Sequence, residues 1–233
     1  MVTTPDTSGL LGELIARNGT RLTVDPGHML FREGDESTAV YGVLRGRVKL
    51  FVSTPCGREL VLGVKGPNQA FGDLSAIGAR PRSASAQVTD RSVLAVLQGD
   101  AYMELLQSAP ALAVAALREL ADQLRRSNAR LAARDTENTT VRVGHVLLEL
   151  TEKFVRHSGP GVVTTLPITH DELAGWIGAS REAASRALAT YRKAGLIETG
   201  RNRIVILDVG ALTETTRGLS AAEPSRTIPA RTA

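Results

Sequence analysis

Residues 169–191 read THDELAGWIGASREAASRALATY, two short helical patterns broken by a glycine. Thr169 stands three residues before Glu172, the spacing of a capping box in which hydroxyl and carboxylate satisfy backbone donors at a helix start. Leu173, Trp176 and Ile177 follow at helical spacing and predict an inward face. Gly178 suits a tight turn, and Ser180 is a good N-cap for the second helix. There Ala184, Leu188 and Tyr191 form the inward face, which leaves Arg181, Glu182, Ser185 and Arg186 pointing outward from the first turns. This pattern is a helix-turn-helix, and those first turns are where a recognition helix meets base edges in the major groove. Arg181 and Arg186 can each fork to guanine, and Glu182 can accept from cytosine. The bland alternative is a solvated face with a Glu182–Arg186 pair one helical turn apart.

The next segment favours the nucleic-acid reading. After Ala194-Gly195, a helix stop, Leu196–Glu198 and Ile204–Leu207 read as two short strands joined by residues 199–203, which makes the motif a winged helix-turn-helix. Arg201 and Arg203 at the tip are placed for phosphate contact. Six Lys or Arg lie between Arg181 and Arg203, against Glu182 and Glu198, so the segment is locally positive although the whole chain carries only +4.

With 233 residues the chain has room for two domains. A single cysteine, Cys56, excludes a disulfide within the chain and points to a reducing compartment. Neither a secretory segment nor a run of about 18 apolar residues occurs, so a soluble cytoplasmic protein without membrane contact is expected. The segments 1–9 and 213–233 lack an apolar face and are expected to be flexible, the latter a disordered tail.

Between Leu22 and Leu97 short apolar or alternating runs predict strands at Met29–Phe31, Val40–Leu44, Val48–Val52, Leu60–Val64, Ala84–Val88 and Val93–Leu97. Glycines 27, 34, 42, 46, 57 and 66 are read as turns, and the sum as an antiparallel jelly roll. Residues 71–86, FGDLSAIGARPRSASA, resemble a phosphate-binding cassette opened by Gly72, Asp73 and Leu74. Arg82 can fork to a cyclic phosphate, Ser83 and neighbouring amides can complete the cradle, and Asp73 can accept from a ribose hydroxyl. A structural Asp73–Arg82 salt bridge fits the same spacing.

Pro110 suits the first turn of a long helix reaching about Arg134, roughly 36 Å at 1.5 Å per residue. Ala113, Leu117, Leu120, Leu124 and Leu131 recur in alternating steps of four and three, with Ser127 in the remaining place, which is a coiled-coil seam and predicts a homodimer. A helix packed only on its own barrel is the alternative. Ser127 and Asn128 make the seam polar, where such residues set register and dimeric state. A hinge at 135–141 precedes a helix carrying Val143, Val146, Leu147, Leu150 and Phe154.

The order of parts resembles the cAMP receptor protein and fumarate-nitrate regulator family of bacterial transcription factors over about residues 10–210. The resemblance is carried by Gly-Asp-Leu-Ser (72–75) with Arg-Pro-Arg-Ser-Ala-Ser (80–85), and by Ile-Gly-Ala-Ser-Arg-Glu-Ala-Ala-Ser-Arg (177–186). It implies an α+β chain with a jelly-roll cyclic-nucleotide-binding-like barrel (10–109), a dimerisation helix (110–135) and a winged helix-turn-helix (136–212). It further implies a homodimeric transcription regulator that binds an inverted repeat in double-stranded DNA, with half-sites about 34 Å apart. The effector would be cAMP or a related cyclic nucleotide held between barrel and helix, with Ser127 and Asn128 on the adenine, one from each subunit. Binding would extend or order the long helix and rotate the DNA domains.

The family usually carries Glu where this chain has Asp73; one methylene less shortens the reach by about 1.5 Å, which weakens ribose contact or routes it through water. A family loop near His157–Gly161 touches RNA polymerase. The same regulator answering to another effector, or to none, is the nearest rival. One cysteine excludes a cluster that needs about four; His28 and Cys56 read as structural rather than as haem ligands, and His28 alone cannot build a jelly-roll metalloenzyme. A pure protein-interaction module is a further rival. No catalytic residue, metal ligand or cofactor for catalysis is assigned, so the chain is not expected to be an enzyme.

Overall fold

The computed structural model describes residues 9–55, 57, 59–155, 164–166, 168–200 and 203–221. Arg201, Cys56, the 157–161 loop, residues 1–8 and the end of the chain from 222 lie outside them. The chain divides into two compact units, 1–125 and 126–233.

In the first unit eight strands form two antiparallel four-stranded sheets. One has the order β1-β8-β3-β6, from Thr20–Val24, Ser92–Leu97, Val40–Arg45 and Ala70–Phe71; the other has the order β2-β7-β4-β5, from Met29–Phe31, Ser85–Val88, Val48–Ser53 and Glu59–Lys65. This is the expected jelly roll, with each predicted strand found to within a residue or two at its ends. Side-chain alternation sorts each central strand into two cores. Tyr41, Val43 and Leu94 join Phe31, Val48, Phe71 and Val88 inside the barrel. Val40, Ala95 and Leu97 face the other way and are covered by Leu11 and Ile15 of α1 (Leu10–Asn18) and by Tyr102 and Leu106 of α3 (Gly99–Ser108).

Two readings change here. Gly42 is not a turn but a position within β3, where an added Cβ would lie 3.1 Å from the Gly12 carbonyl oxygen and 3.2 Å from Ile15. It lets α1 approach the strand. The second change is α1 itself, which falls within a segment expected to be barrel.

The long helix α4 spans Pro110–Thr136. Ala115 and Ala116 are buried, whereas Leu117, Leu124 and Leu131, seven apart, are 65%, 61% and 61% exposed. Ala116 thus joins the core of the first unit, and the three leucines stand on an exposed stripe. The expected hinge at 135–141 shrinks to residues 137–138, because α5 (Thr139–Val155) starts at once.

In the second unit Val143, Val146, Leu147 and Leu150 of α5 are buried as expected. α5 packs against α6 (His170–Ile177), α7 (Arg181–Lys193) and α8 (Val209–Ala221). The wing is a three-stranded antiparallel sheet in the order β10-β11-β9, with β10 at Ile197–Gly200, β11 at Arg203–Ile206 and β9, not foreseen, at Thr164–Leu166. The disordered tail expected at 213–233 is corrected over residues 213–221, while its remainder lies outside the described residues. α8 is helical to Ala221, with Leu212 and Thr216 buried, and the Thr216 hydroxyl lies 3.2 Å from that of Tyr191.

Candidate effector cassette and nucleic-acid interface

The helix pair forms for the reasons its residues suggest. The Thr169 hydroxyl accepts from the Glu172 N–H at 3.1 Å while a Glu172 carboxylate oxygen accepts from the Thr169 N–H and hydroxyl at 2.9 Å each. Gly178 ends α6 at φ 63°, a left-handed conformation that favours glycine. Ser180 caps α7 by accepting from the Ala183 N–H at 3.2 Å. Leu173, Trp176 and Ile177 on α6, and Ala184, Leu188 and Tyr191 on α7, are at most 4% exposed. Two apolar faces thus lock the helices together, and the geometry of α7 follows from its partner.

Arg181, Glu182 and Arg186 are exposed on the opposite side. Arg181 lies 3.5 Å from Asp171 of α6, with both side chains about two-thirds exposed, a pairing worth little in water. The Glu182 carboxyl is held below the usual range by its own backbone N–H and the Ser180 hydroxyl, and then by Arg181 and Arg186. It therefore presents a charged acceptor between two cations. Ser185 is half-buried, its hydroxyl 2.9 Å from Nδ1 of His170. Thr169, Ser180 and Ser185 thus hold the motif together through their hydroxyls. His170 is a residue sequence reasoning missed, although its place at the start of α6, next to the capping residue, was a signal. Arg203 is exposed at the start of β11.

The cassette is built differently. Gly72 (φ 80°) leads into α2 (Asp73–Gly78), and Arg82 precedes β7. Arg82 is only 3% exposed. Its Nη1 donates to the Gly72 carbonyl at 2.8 Å and the Ser75 hydroxyl at 2.7 Å, and its Nη2 to the Ala39 carbonyl at 2.6 Å and the Ser37 hydroxyl at 3.1 Å. The guanidinium carbon lies 4.0 Å from the centre of the Phe31 ring, one of three packed rings with Tyr41 and Phe71. A Cβ at residue 72 would come within 2.8 Å of Nη1, so glycine is needed where the guanidinium rests.

The fork therefore closes on protein oxygens, and only Nε is left without a partner. No ion pair between Arg82 and Asp73 occurs among the described residues, so the salt-bridge alternative is not what the structure holds. Burial pushes the Asp73 carboxyl up, against the lowering effects of Lys65 and of N–H groups of residues 73 and 74. Lys65 itself pairs with Glu119 of α4 at 3.1 Å. Leu74 and Ser83 are exposed. Arg82 thus meets Gly72 through the carbonyl of that residue, the Asp73 carboxyl is under the influence of Lys65 and Glu119, and Ser127 and Asn128 are exposed on α4.

Among the described residues, no group of three or more His, Cys, Asp or Glu gathers as a metal site, and no helix is long and apolar enough to cross a membrane.

Comparison with known proteins agrees with both halves. Residues 21–109 match the cyclic nucleotide-binding domain and residues 141–215 the Crp-like helix-turn-helix domain. A CRP-like cAMP-activated global transcriptional regulator of Mycobacterium tuberculosis is 33% identical over 182 residues, 78% of this chain and 81% of that protein. The chain belongs to the cAMP receptor protein and fumarate-nitrate regulator family. The cyclic AMP receptor protein of Thermus thermophilus is 32% identical over 195 residues, 83% of this chain and 87% of that one. A solved transcriptional regulator of the CRP/FNR family, also from Thermus thermophilus, superposes with TM-score 0.70 at 25% identity, covering 86% of this chain and 100% of that chain. The protein is a DNA-binding transcription regulator of this family, with an effector-type barrel ahead of its winged helix-turn-helix.

Proposed function

We propose that the protein works as a homodimer, paired along Leu117, Leu120, Leu124 and Leu131, and reads an inverted repeat through Arg181, Glu182 and Arg186 from each subunit. The observation that carries this is the set of three exposed charges on the first turns of α7, in a helix pair whose other face is fully buried. Each bidentate arginine–guanine contact is worth about 1–3 kcal/mol of discrimination, and two copies of the helix square its effect on selectivity. Thr169, Ser180, Ser185 and Arg203 supply the supporting edge of this surface, with Arg201 at the wing tip, outside the described residues. The exposed leucine stripe supports pairing, since apolar residues at heptad spacing gain by burial against a second copy.

A phosphate-bearing effector, a cyclic nucleotide such as cAMP foremost, is the ligand we assign to Gly72, Asp73, Leu74, Arg82 and Ser83. Ser127 and Asn128 keep the role the resemblance gives them. Because four donors of Arg82 are already engaged, a phosphate must take Nε or displace the Ser37 and Ser75 hydroxyls, which are weaker partners than an anion. The cAMP-activated relatives support this ligand class. The protein's setting is cytoplasmic, its chemistry is binding rather than catalysis, and RNA polymerase is a further partner.

The test is an electrophoretic shift on a guanine-containing palindrome with and without cAMP. A retarded dimer complex that tightens with cAMP is expected and should fail with Arg181→Ala plus Arg186→Ala. Equal binding to unrelated duplexes would overturn the sequence-reading assignment, and binding indifferent to cAMP would overturn the effector.

A further inference from the structure

The last turns of α4 carry an arginine that the proposed DNA and effector readings do not use, Arg130. Nη2 of Arg130 lies 2.8 and 2.9 Å from the two carboxylate oxygens of Glu149 on α5. The two side chains are 30% and 22% exposed, so water screens the pair only in part. The guanidinium carbon also sits 5.5 Å from the ring centre of Trp176 on α6, within cation–π range. Trp176 is the only tryptophan in the chain and is 4% exposed. One side chain on α4 thus grips both α5 and α6.

α6 in turn is joined to the recognition helix by their shared apolar face and by the His170–Ser185 bond. From α5, Arg142 donates to the Ile177 carbonyl at 2.9 Å, holding the end of α6 where the turn to α7 begins. Arg130 extends this chain of contacts to the helix that carries the leucine stripe. Only residues 137 and 138 separate α4 from α5, so the linker is short, but a short linker alone does not fix the rotation of one helix about another.

We propose that Arg130 is a positioning residue that fixes the DNA reader onto α4 and thereby sets which half-site spacing the dimer accepts. This rests on the dimeric DNA-reading assignment above. If α4 is the paired element, the separation and phase of the two recognition helices depend on how each α6–α7 pair is held to its own α4. One inserted base pair turns the half-sites by about a tenth of a helical turn. A clamped reader must distort the duplex to follow, while an unclamped reader swings. A lysine would keep the charge at residue 130 but not the planar fork that stacks on an indole.

The full-length protein, Arg130→Met and Arg130→Lys are compared on the selected inverted repeat with spacers from two base pairs shorter to two longer. Wild type should prefer one spacing by about ten- to a hundredfold over its neighbours, the size of a mismatched base pair. Arg130→Met should flatten that preference severalfold while keeping its half-site sequence preference, with Arg130→Lys between. A fold-stabilising role alone would lower the melting temperature and leave the spacing preference intact, and that result in the folded variant overturns the proposal. Emission of Trp176 without DNA gives an independent reading: Arg130→Met should shift it, and an unchanged spectrum overturns the clamp itself. Absence of any inverted-repeat binding by wild type would instead defeat the DNA reading, and with it the spacing role, while the spectrum still reports whether the clamp exists.

Discussion

The barrel and the DNA reader each carry one motif rich in arginine, yet they use the residue in opposite ways. Arg82 is 3% exposed, with four hydrogen bonds to the protein, while Arg181 and Arg186 stand in water. The difference lies in what surrounds each guanidinium. In the cassette two carbonyls, two hydroxyls and an aromatic ring converge on the cation, which ties the segment leading into β3 to Gly72 and α2. On α7 the outward cations have the exposed carboxylates of Asp171 and Glu182 nearby, with water around both. A shared side-chain type thus serves cohesion in one unit and, on the proposed reading, recognition in the other.

The largest effect should come from testing that division at Arg82. Arg82→Met keeps the stem but takes the Arg82 donor from the Ala39 carbonyl and leaves the Gly72 carbonyl with the Ser75 hydroxyl, while the Ser37 and Ser75 hydroxyls lose their cationic partner; buried groups left unpaired cost about 1–3 kcal/mol each. The barrel's urea unfolding transition should weaken by about 3 kcal/mol or more, with half-site preference on DNA unchanged. An unaffected transition would mean the guanidinium is free to serve a ligand alone, and the contrast with α7 would vanish.

Arg181→Ala and Arg186→Ala are the mirror experiment. Each should reduce preference for guanine in one position of the half-site by about 1–3 kcal/mol, read by competition binding against single-base variants. Thermal stability should stay within about 0.5 kcal/mol of wild type, as for surface changes in general. A melting loss comparable to that of Arg82→Met would show these cations to be structural too. Thr169→Ala should fall between the two kinds of effect. Loss of a capping box costs about 1 kcal/mol, and it should appear in the unfolding of the DNA-binding unit and leave the barrel untouched.

How legible these features were in the sequence depended on how local their causes are. The capping box, Gly178 and the apolar triplets of α6 and α7 are contacts among residues a few positions apart, and α4 announces itself by a seven-residue repeat. The direction of Arg82 was not legible, because its partners Ser37 and Ala39 lie more than forty residues away. α8 was missed for a related reason. A segment rich in Thr, Ser and Gly has low helix propensity, and what holds it is Leu212 and Thr216 packed onto the unit, with Thr216 meeting Tyr191. β9 is three residues long, too short to show a period. Arg130 lay in plain view as one basic residue among several on α4, and only the fold reveals Glu149 and Trp176 beneath it.

The smallest effect compares the carboxylates of the two motifs and should differ in sign between them. Asp73 has its carboxyl raised above the ordinary 3.8, chiefly by burial. Between that value and the folded one, the folded state keeps a proton that the unfolded chain has released, so this group's contribution to stability falls as pH rises through the window. Glu182 is lowered from 4.5, chiefly by its own backbone N–H and Ser180, so its contribution is present above 4.5 and is lost as pH falls through the folded value. Urea midpoints followed from acid to neutral pH should therefore show Asp73→Asn gaining on wild type as pH rises, levelling off above the folded-state value. Glu182→Gln should lose ground over its own window and level off above 4.5. Parallel slopes for the two variants would mean that the cassette carboxyl is as well solvated as the one on the recognition helix, and the distinction between an inward and an outward motif would fail for acids even if it held for arginines.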